Sequence, residues 1–387
     1  MIIHVGIIDQ DPVRLITPLI SETVLTQKVI FIGTEVQREQ YDRLAAILTP
    51  KHIDVEFFII PDVINIAHIR DKIHQLAKQL KETGCDVWFN ASCGIRHHLL
   101  SAYEVFRSYQ WPIYVIEPYS DEMCWLYPTD REQQVKAHIQ LTDYLSIFGA
   151  HCELSKYPIT ESLNPELWVL GQRWASSAFE LGPGLATLNY LATTCRKEQV
   201  LHIKLSKKQQ GYKELGSLLT DLEKTGLATY NNGVLTFKHE QARRFANGEW
   251  LENLVHSTVR MIQNELPTIQ DHSLGVQVYR KIGEHEVRNE LDVATIVNNK
   301  LHIIECKTKG MRDDGNDALY KLESLRDLLG GLRARAMLVS FRPLRHQDLV
   351  RAQDLGLAII GPNQLGDLQK HLYDWLKGAG GKIDITE

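Results

Sequence analysis

The sequence predicts a mixed α/β chain of two or three domains, the first a doubly wound parallel sheet. Three observations carry this. Residues 1–150 alternate short apolar runs with helical patterns, as expected of parallel strands joined by helices. Residues 151–240 replace that alternation with helices and one tight hairpin, and residues 241–387 return to strands and helices around a second hairpin. A chain of 387 residues also exceeds what one ordinary hydrophobic core serves.

In the first segment, runs at 2–8, 28–33, 55–60, 86–90 and 112–117 read as strands, and patterns at 12–21, 36–48, 66–83 and 96–108 read as helices. Pro12 suits a first helical turn. A Rossmann-like sheet of this kind holds its ligand beyond the carboxyl ends of its strands. The first strand runs into Gly6-Ile-Ile-Asp-Gln-Asp-Pro12, without the glycine-rich fingerprint of dinucleotide binding, which disfavours NAD. The loop Asn90-Ala-Ser-Cys-Gly-Ile-Arg96 leaves a buried strand and opens a helix. Backbone N–H groups at such a corner cradle an anion, helped by the helix dipole and by Arg96. A plain strand-to-helix turn, using Gly94 for its backbone geometry, competes with that reading. So does Cys93 as a nucleophile served by His97 or His98, although one turn of helix rarely aims a histidine back at its own elbow.

Residues 152–165 read as a connector, 166–181 as a helix and 212–226 as an amphipathic helix closed by Gly226. Asn232-Gly233 then turns a hairpin over 227–237. Two helices and a two-stranded wing describe a winged helix. Its second helix sets Lys213 and Lys224 against Glu214, Asp221 and Glu223, a poor match for a phosphate backbone. A connecting or dimerising module is expected rather than a DNA reader.

The last segment is organised by residues 288–309. Two β-branched runs flank Val297-Asn298-Asn299-Lys300, and both asparagines tolerate the positive φ of a tight turn. If Val297 pairs with Lys300, Asp292 faces Glu305 and Glu290 faces Lys307. Two carboxylates about 5 Å apart repel by roughly 3 kcal/mol at an effective dielectric of about 20. A divalent cation removes that objection. Lys307 follows Glu305 by two residues, and the strand period places both on one face with Asp292, continued by Ala294, Ile296, Leu301 and Ile303. Hard oxygen ligands hold Mg²⁺ or Mn²⁺, and an ammonium beside them positions water or supports developing negative charge. Asp292 and Glu305 are therefore candidate metal ligands and Lys307 a candidate catalytic group. A hairpin with merely solvated charges is the competing view. Beyond it, 317–329, 344–355 and 364–376 read as helices and 334–341 and 357–361 as strands.

Composition sets the outer bounds. Hydrophobic residues make up 44% and charged residues 24%, with a net charge of −5, so nucleic acid must meet a local basic surface. Lys309, Arg312, Lys321, Arg326, Arg333, Arg335, Arg342 and Arg345 exceed the nearby acids and are expected to supply it. No basic leader precedes the first strand and no apolar run spans a membrane, so a cytoplasmic protein without membrane partners is expected. Cys85, Cys93, Cys124, Cys152, Cys195 and Cys306 form no C-x-x-C pair, which argues against a zinc site or a disulfide framework.

Leu291-Asp292, twelve intervening residues and Glu305-Cys306-Lys307 resemble the PD-(D/E)xK nuclease motif, with Leu291 in place of proline. The resemblance implies a restriction-endonuclease-like core, metal at Asp292 and Glu305, and a further metal-binding glutamate on a preceding helix. Glu252 is the matching position, at the edge of the stripe Leu251, Val255, Val259 and Ile262, with Glu249 the runner-up; Cys306 would lend its backbone carbonyl. The 90–96 loop is similar to the N-x-T-G-G-T-K signature of CARF domains, sensors of cyclic oligoadenylates in CRISPR systems. Asn90, Ser92, Gly94 and Arg96 match, Cys93 and Ile95 depart, and Asp9, Gln10, Gly33, Thr34 and Glu35 occupy the other ligand-contacting places. Together, a CARF domain over 1–150, a winged-helix linker over 151–240 and a nuclease domain over 241–387 resemble the CRISPR ancillary nucleases. That resemblance implies a homodimer, cyclic tetra-adenylate as activator, Mn²⁺ or Mg²⁺ as cofactor and single-stranded DNA or RNA as substrate. A transcriptional regulator acting through the winged helix, and a restriction or repair nuclease with another effector, are the alternatives.

Overall fold

The computed structural model describes residues 2–117, 122–130, 132–154, 165–310 and 315–378. The expected alternation appears as β1 (Ile2–Ile7), α1 (Val13–Ile16), β2 (Thr26–Gly33), α2 (Arg38–Leu48), β3 (Asp54–Ile59), α3 (Ile66–Glu82), β4 (Asp86–Asn90), α4 (Arg96–Ser108) and β5 (Ile113–Ile116). Antiparallel β6 (Glu122–Tyr127) and β7 (Glu132–Gln134) extend the sheet to the order β3-β2-β1-β4-β5-β6-β7. Val5, Ile7, Phe31, Ile32 and Phe89 are buried, as strands covered on both faces require. The helix expected over 12–21 is a single turn, because Pro18 has no N–H to continue the ladder. Strand order reverses between β1 and β4, and this switch point brings the loops that follow those two strands together.

The chain then crosses to a second sheet through α5 (Leu141–Ile147) and β8 (Ala150–Glu153). Cys152, expected in a connector, is therefore a strand residue; residues 155–164 of that connector lie outside the described residues. The middle segment comprises α6 (Pro165–Ser176), α7 (Ala178–Glu198), β9 (His202–Lys204), α8 (Lys207–Gln210), α9 (Lys213–Lys224), β10 (Ala228–Asn231) and β11 (Val234–Phe237). Its small sheet has the order β10-β11-β9 and turns at Asn232 and Gly233, with φ of 52° and 77°. α7 runs on through Gly182-Pro183-Gly184, where sequence alone suggests a break. Gly184 lets α9 close in, since a Cβ there would lie 2.8 Å from the Glu214 backbone.

The last segment holds α10 (Glu240–Arg244), α11 (Trp250–Gln263), β12 (Ile269–Ile282), β13 (His285–Val297), β14 (Lys300–Lys307), α12 (Gly315–Gly330), β15 (Arg335–Ser340), α13 (His346–Asp354), β16 (Ala358–Ile360) and α14 (Leu368–Leu376). Its sheet has the order β16-β15-β14-β13-β12-β8. β14, β15 and β16 are parallel, whereas β13, β12 and β8 are antiparallel to their neighbours. α11 and α14 pack on one face; α12, α13 and α5 pack on the other. This second cluster also takes in Leu15, Phe31 and Leu44 of the first domain, so one apolar core joins both sheets. Among the described residues no helix is long and apolar enough to cross a membrane.

Candidate active site

Asn298 and Asn299 take φ of 48° and 53°, and Val297 pairs with Lys300, as the turn demands. The β13–β14 ladder then runs to Val293 opposite Ile304, one position short of Asp292 and Glu305. Had it continued, the Cys306 N–H would have bonded backbone. Instead that N–H donates to Asp292 Oδ2 at 2.7 Å. The strict alternation expected through this region inverts here: Leu274 and Val293 pack with the α11 cluster, Val276 and Leu291 with the α12 cluster. Gly275, at φ 63°, sits in the inversion beside Asp292. The irregularity takes Asp292 out of the simple period-two line with Ala294 and Ile296.

Glu305 is buried at the carboxyl end of β14 and is ion-paired with Lys307 two residues on. Glu252 comes from the first turn of α11, whose Leu251, Val255, Val259 and Ile262 are buried as the stripe required. A π-helical turn, Phe245–Glu249, precedes that helix, with Gly248 at φ 124°. A Cβ on Gly248 would lie 2.5 Å from Thr308 Oγ1, so glycine allows the start of α11 to close on the residue after Lys307. Glu249 is occupied by an ion pair with Arg244, whereas Glu252 has no such partner among the described residues. This separates the two candidates in favour of Glu252.

Electrostatics tie the groups together. Burial, then Asp292, Glu249, Glu290 and Glu305, raise the Glu252 carboxyl well above its usual range. Burial and then Glu305 push Asp292 up to about 7, against the opposing pull of the Cys306 N–H and Lys307. Burial pulls the Lys307 ammonium down, but Glu305 and Asp292 outweigh it and hold Lys307 above its ordinary value. With Glu305 held by Lys307 and Asp292 by the Cys306 N–H, no three His, Cys, Asp or Glu side chains among the described residues stand close enough to hold a metal. The donor set still suits a hard divalent cation. A half-buried carboxylate such as Glu252, without an ion pair among the described residues and crowded by others of its sign, is relieved by positive charge.

Four of the eight residues expected to form a basic surface have partners within the fold. Arg326 bonds Asp327 and Leu355, Arg335 bonds Trp375 and lies over its ring, Arg342 donates to Gly182, and Arg345 pairs with Asp348. Lys309 and Lys321 are exposed, and Arg312 lies outside the described residues.

At the first domain's switch point, Asn90 is spent on shaping its loop. Its Oδ1 accepts from the Ser92 N–H and hydroxyl, and its Nδ2 donates to Arg14 O. Ser92 Oγ accepts from Ile116 N–H, and the Cys93 thiol, buried and pushed upward by burial, bonds Asp11 O. That thiol is no nucleophile. Gly94, at φ 129°, donates its N–H to Asp9 Oδ2 at 3.0 Å and packs on Ile7. Asp9 Oδ1 receives the Gln10 N–H. Thr34 is buried, its N–H donating to Gln37. Gln10, Ile95 and Arg96 present exposed side chains at the crevice. The sequence reading grouped these residues without separating those that build the loops, such as Asn90, Cys93 and Thr34, from those that face outward, Gln10, Ile95 and Arg96.

Residues 3–144 match the Card1 CARF domain and residues 239–379 the Card1-like endonuclease domain. Protein VC1899 from Vibrio cholerae is 64% identical over 98% of this chain and 99% of its own, with a TM-score of 0.94. The chain belongs to the Card1-like CARF–endonuclease family. Can2 from Sulfobacillus thermosulfidooxidans, in complex with cyclic tetra-adenylate, shares the fold with a TM-score of 0.78 at 21% identity, over 97% of this chain and 99% of Can2. A type III CRISPR defence DNA nuclease activated by cyclic oligoadenylate shares it with a TM-score of 0.54 at 15% identity, over 95% of this chain and 51% of that one. No curated protein sequence matches the chain. In Card1-like terms, the first sheet is the CARF domain and the carboxylate cluster lies in the endonuclease domain.

Proposed function

We propose that this Card1-like protein is a metal-dependent nuclease of single-stranded DNA or RNA, switched on by a cyclic oligoadenylate in CRISPR defence in the cytoplasm. The observation that supports the reading is the electrostatic coupling of Glu252 and Asp292, both raised by burial and by neighbouring carboxylates that include Glu305, with Lys307 paired to Glu305. Glu252, Asp292 and Glu305, with the Cys306 backbone carbonyl, would hold Mn²⁺ or Mg²⁺. A cation there supplies an acidified water and neutralises charge on the phosphate. Lys307 orients the attacking water and supports the charge that develops on the phosphoryl oxygens. Deprotonated Asp292 keeps the Cys306 N–H and so fixes the end of β14 against β13.

The activator reading rests on the CARF match and on the crevice at the switch point. Gln10 and Arg96 offer polar contacts there, and the α4 N-terminus favours an anion. Val36, Ile64 and Ile95, exposed at 82%, 89% and 45%, follow the carboxyl ends of β2, β3 and β4. That apolar rim suits adenine faces and a second copy of the chain, so a ring of even size would sit on the two-fold axis of a homodimer. Can2 was solved with cyclic tetra-adenylate, which supports that ring as the first to test.

The test is cleavage of single-stranded DNA and RNA with Mn²⁺, with and without cyclic tetra-adenylate. Wild type should cut only with the ring, and Lys307→Ala should lose about 10²-fold or more, the scale of one lost transition-state contact. Equal rates in wild type and Lys307→Ala would remove the assignment.

A further inference from the structure

Arg326, Arg335, Arg342 and Arg345 of the endonuclease domain are engaged within the fold, and a second group of basic side chains stands in the middle segment. A groove of about 680 Å³ opens in the middle segment between α7, β9 and α8, lined by Tyr190, Ile203, Lys204, Ser206, Lys207 and Gln210 among others. No carboxylate lines it. Tyr190 is 63% exposed, a large value for an aromatic ring. Lys204, Lys207 and Lys208 are exposed and form no ion pair among the described residues. An exposed aromatic beside unpaired ammonium groups is what an unpaired strand recognises: bases stack on the ring and phosphates meet the cations.

α7 connects the groove to the endonuclease domain. Asn189, the residue before Tyr190, is buried and donates from Nδ2 to Thr308 Oγ1 at 3.4 Å. Thr308 follows Lys307 directly. Four residues further along α7, Thr193 bonds Asn247 in the turn that leads to Glu252. α7 therefore spans from the catalytic strand end to the lysine-lined groove.

We infer that this groove is a subsite for single-stranded nucleic acid, with Tyr190 as a stacking platform and Lys204 and Lys207 as phosphate contacts. A strand engaged at the carboxylate cluster continues along α7 into it. The inference rests on the nuclease reading and assigns its substrate track. It also gives the middle segment a role distinct from that of its acidic second helix.

The experiment measures fluorescence anisotropy of labelled oligothymidylate with the full-length chain carrying Asp292→Asn, with cyclic tetra-adenylate present. Tyr190→Ala should weaken binding roughly tenfold, and Tyr190→Phe, which keeps the stacking face, should restore it. Lys204→Glu/Lys207→Glu should weaken binding and reduce the dependence of log K on log salt by about 1.4 for two lost phosphate contacts. Lys78→Glu/Lys81→Glu, on α3 of the CARF domain, controls for net charge. Unchanged binding in the groove variants, or an equal loss in the α3 pair, overturns the subsite. Binding is read in a protein that does not cut, so it is separate from hydrolysis. Wild type that cuts nothing while the groove variants lose oligothymidylate would overturn the nuclease reading and leave the groove standing.

Discussion

Asp292 sits where stability and function oppose each other. Its carboxyl is displaced upward to about 7 by burial and Glu305, so the folded chain holds this proton to a higher pH than the unfolded chain does. A carboxyl whose folded value lies above its unfolded value contributes stability at low pH and loses it as pH rises through the folded value. The window for Asp292 is therefore between about 4 and 7, with the cost complete above it. In chelator, Asp292→Asn should be more stable than wild type at pH 8, by on the order of 2 kcal/mol, and the difference should vanish near pH 4. Chemical denaturation across that range checks it; a pH-independent difference would mean that packing, not ionisation, is at work. Adding Mn²⁺ should raise the melting temperature of wild type and leave the asparagine variant nearly unmoved. Buried neutral histidines bring the opposite slope to the whole chain. His4, His256 and His302 are lowered to about 3 by burial, so their contribution is lost as pH falls below about 6.5. That is why the comparison must be made between variants.

At the scale of elements, two glycines hold the two sites. Gly248→Ala meets both a φ of 124° and a Cβ 2.5 Å from Thr308 Oγ1, and the start of α11 must retreat from β14. Glu252 goes with it. Cleavage should fall at least 10²-fold while ring binding, measured by calorimetry, stays as in wild type. Gly94→Ala, at φ 129° against Ile7, should do the reverse: it weakens the ring and leaves Mn²⁺ binding intact. Loss of both properties in either variant would indicate global unfolding. What was legible follows from the same distinction. The Asn298-Asn299 turn made the β13–β14 hairpin legible because turn geometry is local, and the β–α alternation gave the parallel strands because burial on both faces leaves continuous apolar runs. The Gly248 contact, the Arg244–Glu249 pair that singles out Glu252, and α7 running through Gly182-Pro183-Gly184 were not legible. Each depends on a partner far along the chain, and propensity read residue by residue points the other way. The partners of Arg326, Arg335, Arg342 and Arg345 were not legible for the same reason, since only the fold shows which backbone carbonyls and carboxylates they reach.

At the scale of the molecule, the CARF domain and the β13–β14 hairpin are fastened together. The turn of that hairpin touches the segment leading out of the CARF sheet, Ile139 N–H donating to Asn299 Oδ1, and from neighbouring β12 Gln270 Nε2 donates to Ala137 O. The N-terminus of α5 is capped across the domain boundary, Leu141 N–H donating to Asp271 Oδ2 at 2.8 Å. β8, just beyond α5, adds a strand to the endonuclease sheet through β12. The same hairpin carries Asp292 and Glu305 at its other end. Any displacement of residues 137–141 is therefore applied to the turn of a stiff two-stranded element whose far end holds the carboxylates. A ligand acts at a distance only through a difference in its affinity for two arrangements, typically worth about 1–3 kcal/mol of coupling. Gln270→Ala/Asp271→Ala removes two of the three contacts without touching either site. The double variant should bind cyclic tetra-adenylate, yet the ratio of cleavage with and without ring should fall about 5- to 150-fold toward one. Linkage gives a second reading of the same coupling. In wild type, Mn²⁺ with a non-cleavable strand should tighten the ring, and in the double variant that tightening should disappear. If the activation ratio survives while both hydrogen bonds are gone, the signal travels through the shared apolar core around Leu15, Phe31 and Leu301 instead, and substitutions there become the discriminating ones.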